Sequence, residues 1–208
     1  SPTHHAQPEK PMRALLLIDI QNDFMPGGAL AVADGDAIIA PVNALMDDYP
    51  LIVATQDWHP AGHESFASAH PGKQPFDNIT LHGLAQTLWP EHCIAGSDGA
   101  ALHPALDTRR IAAIFRKGMD KHTDSYSAFC DNGQRHNTQL AAWLHACGVT
   151  DIDVAGLAAD YCVYYSIKDA LAAGFRVRLI ENATRAIDAA AYAAKKAELL
   201  QNPAFAVV

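Results

Sequence analysis

The chain has 208 residues, half of them hydrophobic, and a formal net charge of −8. That is enough for one domain with a substantial core and a cleft, and the acidic balance argues against nucleic-acid or anionic-membrane partners. No apolar run is long enough to span a bilayer.

In chain order, the opening SPTHHAQPEK lacks the charged and apolar regions of a signal peptide. Residues 1–11 read as a disordered lead-in to a single domain over 12–208. Five short apolar runs follow, at 14–20, 51–57, 111–118, 151–159 and 175–182. Such runs are typical of strands buried on both faces of a parallel sheet. Helical patterns lie between them at 36–49, 138–148, 161–174 and 189–200. Pro41 is tolerable only near a first turn. Thr138 suits an N-cap, and Gly148 and Gly174 suit C′ positions. Strands alternating with helices predict an α/β fold with a mostly parallel sheet. Segments 58–105 and 119–137 lack periodicity, and loops of that length are usually functional.

Ligands of open α/β sheets bind at the carboxyl ends of the strands. The residues expected there are Asp19, then Asp57 with His59, then Lys117, then Asp160 with Cys162. Cys162 opens a helix, where the dipole and free N–H groups lower a thiol pKa. Taken alone it is more readily a small buried hydrophobe. Asp19 ends a buried strand, where a carboxylate is costly unless paired or working. It can serve as base to a thiol, or cap a loop. Lys117 can pair with Asp19 or sit in solvent. The other three cysteines, Cys93, Cys130 and Cys147, form no CxxC motif with it, and all four read as reduced thiols of a cytoplasmic protein.

QDWHPAGHESF (56–66) holds Asp57, His59 and His63. Asp57 and His59 share one side of an extended strand, and the turn PAG can fold His63 back. These N and O ligands suit Zn, Fe or Mn, with His92 in WPEHC available as a fourth. His4, His5, His70, His136 and His145 have no partner at useful spacing. His82, His103 and His122 stay open.

The motifs LIDIQNDF, TQDWHP, SFA, WPEHC, FRKG, DSYSAF and GLAADYCV occur in the order and spacing of bacterial nicotinamidases, also called pyrazinamidases, a branch of the isochorismatase-like cysteine hydrolases. The resemblance covers about residues 12–185. It implies a three-layer α/β/α fold and hydrolysis of nicotinamide to nicotinate and ammonia, and of pyrazinamide to pyrazinoate, in NAD salvage. Carried over residue by residue, Asp19, Lys117 and Cys162 match the catalytic triad. Asp57, His59 and His92 match the ligands of one divalent transition metal ion, zinc first and iron or manganese next, and His63 matches a further ligand. The N–H groups of Ala158 and Cys162 match the oxyanion hole, with a cis peptide at Leu157–Ala158. Phe24, Trp89, Tyr126, Leu157 and Tyr161 match substrate-binding positions. Ala159 departs from the usual Thr, and Tyr161 from the usual His or Phe. The resemblance fades after 185, where the chain turns Ala-rich. The partners implied are small molecules only, with a homo-oligomer compatible with this size. A metallohydrolase with a dispensable Cys162, another amidase of the superfamily, and a non-enzymatic metal-binding module are the rival readings. A thiol-alkylation test separates the first. The metal cluster counts against the second, and three functional groups at three strand ends count against the third.

Overall fold

The structure is a computed structural model that describes residues 10–208, so nearly all of the expected lead-in lies outside the described residues. Its frame is a six-stranded parallel sheet in the order β5-β2-β1-β6-β7-β8. The strands are β1 Met12–Ile18, β2 Leu51–Asp57, β5 Ala113–Lys117, β6 Val149–Leu157, β7 Arg176–Arg185 and β8 Phe205–Val207. A separate antiparallel hairpin, β3 Asn78–Leu81 and β4 Leu84–Thr87, lies between β2 and β5 in sequence. The helices are α1 Ile39–Leu45, α2 Leu140–Ala146, α3 Tyr164–Ala172 and α4 Ala189–Leu199.

Side chains of a strand alternate between faces, and β1 divides accordingly. Leu15 and Leu17 pack in one core with Ile39 and Val42 of α1. Ala14, Leu16 and Ile18 pack in the other with Leu140 and Leu144 of α2, Ile167 and Ala170 of α3, and Leu199 of α4. Two cores around one sheet make the three-layer α/β/α architecture. The strand order reverses between β1 and β6, the switch point at which ligands bind in open sheets. Asp19 follows β1 and Cys162 follows β6, so the two flank it. Gly156 makes their approach close. It pairs with Ile18, its φ is +124°, and a Cβ there would stand 2.1 Å from the Ile18 carbonyl oxygen.

Several expectations need correction. The run 111–118 is an edge strand, not one buried on both faces: Ile114 is 48% exposed. Among the described residues, β2 is the one strand that pairs with it. The pattern 36–49 forms a short α-helix between two 3₁₀ turns. Thr138 is not the residue that enters α2. Gln139 is, at φ +68°, although the Thr138 hydroxyl still accepts the Leu140 N–H at 3.3 Å. The helix expected from 161 begins as a π turn over Ala159–Val163, in which the Val163 N–H donates to the Ala158 carbonyl at 3.1 Å. Such turns recur at functional sites. The hairpin and β8 carried too short a pattern to be read from sequence.

Candidate active site

Three strand ends deliver the reactive groups. Lys117, at the end of β5, is fully buried, and its ammonium has four neighbours. Asp19 Oδ2 lies at 2.8 Å and Asp57 Oδ1 at 2.5 Å. The Ser125 carbonyl accepts a hydrogen bond at 3.0 Å, and Cys162 Sγ stands at 3.5 Å. Asp19, at φ +51°, also accepts the Thr55 hydroxyl at 2.7 Å. The expected Asp19–Lys117–Cys162 group therefore assembles, and Lys117 additionally joins it to Asp57.

The two carboxylates are driven in opposite directions. Burial raises Asp19, Lys117 pulls it back, the Asp57 charge adds to the rise, and the net shift is upward. Burial acts on Asp57 too, but Lys117 and then His59 carry it well below the usual carboxylate range. Burial disfavours the Lys117 ammonium, yet Asp19 and Asp57 hold it well above an ordinary lysine. Groups pushed apart in this way mark an acid/base partner and a permanent anion. By that pattern Asp19 is suited to exchange a proton and Asp57 to stay charged. The Cys162 thiol is raised well above its ordinary value by burial, against the pull of Lys117. This corrects the expectation of a dipole-lowered thiol. Desolvation in the cleft exceeds the effect of one helix end, so the resting sulfur keeps its proton.

Beside this group, ligand atoms of Asp57, His59 and His92 lie within 4.8 Å of one another, all buried. The His59 Nδ1–H points at the Gly118 carbonyl (2.9 Å) and the His92 Nδ1–H at the Pro90 carbonyl (2.8 Å). A carbonyl can only accept, so each ring, in its neutral form, presents a bare Nε2. Those nitrogens are 3.5 and 3.6 Å from Asp57 Oδ2. Among the described residues, His59 Nε2 is buried with no hydrogen-bond partner, as is His63 Nε2. Two bare imidazole nitrogens and a permanent carboxylate fit a borderline divalent cation. Gly118 is required here: its φ is +70°, and a Cβ would lie 2.5 Å from the His59 ring.

His63 departs from expectation. Its ring packs on His59 with centroids 4.5 Å apart, but it stands outside that three-residue group. Its Nδ1 accepts the Ser65 backbone N–H at 3.0 Å, which places the ring proton on Nε2. Leu157 departs as well. It is fully buried in the core instead of lining the cleft.

The cleft is walled by Phe24, Trp89, Tyr126, Ala158, Tyr161 and Ile187, with Asp57, His92 and Cys162 on it. Trp89, Tyr126 and Tyr161 meet edge to face, with centroids 5.1 to 6.2 Å apart. The Leu157–Ala158 peptide is cis, as expected.

Sequence reading missed the supports. Gln21 is fully buried and grips the Asp57 backbone from both sides, donating to its carbonyl and accepting its N–H, each at 2.9 Å. Asp23 accepts the Cys93 N–H at 2.7 Å, next to His92. Both belong to LIDIQNDF, and their polarity directly after a buried strand was the available signal. Thr55 and Asp124 open the motifs TQDWHP and DSYSAF but were given no role, and Ile187 gave no signal. His136, expected to have no partner, pairs with Asp131.

Residues 13–208 match the isochorismatase domain. The chain belongs to the isochorismatase family. Among its relatives, the nicotinamidase of Escherichia coli is 48% identical over 182 residues, 86% of this chain and 85% of that enzyme. A nicotinamidase/pyrazinamidase structure from Acinetobacter baumannii superposes with a TM-score of 0.91 at 41% identity, covering 96% of this chain and 97% of that one. A Pyrococcus horikoshii pyrazinamidase in complex with zinc superposes at 0.78 with 33% identity, covering 95% and 99%. As a member of the isochorismatase family, the chain shares their parallel-sheet α/β architecture throughout.

Proposed function

We propose that this chain is a nicotinamidase. It hydrolyses nicotinamide to nicotinate and ammonia, and pyrazinamide to pyrazinoate, through a thioester on Cys162. The observation that carries the reading is the buried Lys117 ammonium, in contact with Asp19, Asp57 and Cys162 at once. It sets a thiol and its base against a three-ligand metal cluster in one aromatic cleft.

Asp19, raised by burial, takes the thiol proton, and Lys117 steadies the thiolate. The sulfur attacks the carboxamide carbon. The N–H groups of Ala158 and Cys162 hold the resulting oxyanion, each worth roughly 3 kcal/mol. Protonated Asp19 passes its proton to the departing ammonia, then serves as base for the water that cleaves the thioester. Phe24, Trp89, Tyr126 and Tyr161 wall the aromatic ring and exclude water. Asp57, His59 and His92 would hold one divalent transition metal ion, zinc first. When bound, it supplies a Lewis-acidic position for the substrate's ring nitrogen and so orients the ring. The relatives' activities support this assignment, as does the zinc complex of the Pyrococcus protein.

On this reading the product acid feeds pyridine-nucleotide synthesis, and the enzyme's role is NAD salvage. Four unpaired cysteines favour a reducing cytoplasm.

The test is ammonia release from nicotinamide, pyrazinamide and benzamide, with and without a chelator. Expected are turnover of the first two, little of benzamide, and loss on chelation. Equal rates on benzamide and nicotinamide would show that no group holds the ring nitrogen. No release from any amide would overturn the reading.

A further inference from the structure

A second cluster of ligand-type side chains lies outside the cleft. Glu64 follows His63 in the loop after β2, His82 sits at the tip of the β3–β4 hairpin, and His122 lies in the 119–137 loop. Their ligand atoms all fall within 4.8 Å of one another. Glu64 Oε2 meets His82 Nε2 at 2.5 Å, and Glu64 Oε1 meets His122 Nδ1 at 2.8 Å. The two imidazoles stand edge to face with centroids 5.3 Å apart.

The three segments are held in place independently of this contact. The Glu64 N–H donates to the Lys121 carbonyl at 2.9 Å, clamping the first loop to the last. Arg135 donates to the His82 carbonyl at 2.9 Å, fixing the hairpin tip. His82 and Gly83 both have positive φ, +47° and +83°. A two-residue turn of this form favours Asn-Gly, so the imidazole stands where a smaller side chain is the ordinary choice. Two histidines and a carboxylate from three fixed loops, half open to solvent, form a preorganised face with free positions for water.

We propose that Glu64, His82 and His122 bind a second divalent transition metal ion, of the zinc, nickel or cobalt type. Such ions take imidazole and carboxylate together. The ion ties the hairpin and the 119–137 loop to the loop that carries His59 and His63. It stands apart from the cleft, and its role is to brace the wall. The β4 residue Gln86 donates to Asp124 and to Tyr126, both at 3.2 Å, so the hairpin already touches two cleft residues.

The experiment is zinc titration of metal-stripped protein by calorimetry, with bound metal counted after desalting, on wild type, His82→Asn/His122→Gln and His59→Ala. Wild type is expected to bind one more ion than the His82→Asn/His122→Gln variant. That variant should keep its turnover when supplied with one equivalent. His59→Ala should retain the peripheral ion. His4 and His5 are present in all three proteins, so the difference belongs to the cluster. Either single substitution should weaken the second ion at least ~10-fold. Added zinc should raise the melting temperature of His59→Ala, but not when the His82 and His122 changes are combined with it. The same stoichiometry in wild type and the His82/His122 variant would overturn the proposal and leave the cluster as a pair of surface ion pairs.

Discussion

Asp19→Asn is the most discriminating single change in the site. The carboxylate is fully buried, with one oxygen on the Thr55 hydroxyl (2.7 Å) and the other 2.8 Å from Lys117. An asparagine can turn its carbonyl oxygen to Lys117 and its amide N–H to Thr55, because a hydroxyl accepts as readily as it donates. Lys117 keeps Asp57 at 2.5 Å as counter-ion, so no buried charge is orphaned. The buried group of one lysine and two aspartates goes from net −1 to neutral. Burial raises Asp19 in the fold. The native state therefore holds this proton more tightly than the unfolded chain, and the group's contribution to stability is full at low pH and lost as pH rises through the folded value. At pH 7 the wild type carries that penalty and the asparagine variant does not. Its melting temperature should equal or exceed wild type at pH 7, with the difference closing as pH falls toward about 3.9, where an unfolded aspartate protonates. Turnover should fall at least ~10²-fold, the lower range for a general base, or about 2.7 kcal/mol in the barrier at 1.36 kcal/mol per decade. Ammonia release and a thermal melt across pH measure both. A rate within tenfold of wild type would refute the base assignment. A marked drop in melting temperature at pH 7 would make the carboxylate structural.

Cys162→Ala should abolish turnover, whereas Cys130→Ala and Cys147→Ala leave it intact; Cys93→Ala, in the core, should lose some stability but keep its rate per folded molecule, as rate and melt together would show. His59→Ala should lose the cleft ion and turnover of nicotinamide while remaining folded, and His63→Ala should weaken that ion less, both read by metal content. Gly118→Ala should behave like His59→Ala, because its Cβ would press on the His59 ring at 2.5 Å. Tyr49→Phe removes a 2.5 Å hydrogen bond to the fully buried Asp153 and should cost about 1–3 kcal/mol in denaturant unfolding with no change in kcat.

Much of the frame was legible because parallel strands leave an apolar signature that does not depend on neighbours. All five expected runs became strands, and the ends of four of them delivered Asp19, Asp57, Lys117 and Cys162 to one side of the sheet. What escaped depends on tertiary context. β8 has three residues and exists only because β7 offers an edge. The left-handed Gln139 takes the entry position next to α2, while the Thr138 hydroxyl, one residue earlier, is tied to the Ala128 carbonyl at 2.7 Å. His63 and His59 look alike in sequence. Whether a ring meets a carbonyl or a backbone N–H separates them, and spacing cannot show that. The raised thiol follows from closure of the cleft, which no local pattern encodes.

The sequence resemblance was read only to about residue 185, but the family match runs on to residue 208, and the structure ties the later stretch to the turn that carries Cys162. Asp160, two residues before Cys162, accepts the N–H groups of Ile187 and Asp188 at 2.9 and 3.0 Å. Lys195 of α4 donates to the Asp160 carbonyl at 2.5 Å and lies 4.5 Å over the Tyr161 ring. Ile187 itself walls the cleft. The C-terminal segment thus works as a splint on the turn that carries Cys162. Trimming it would disturb the turn at Cys162, 25 residues before Ile187 and 33 before Lys195, and a library aimed at new amide substrates has reason to begin at those two residues as much as at the aromatic wall.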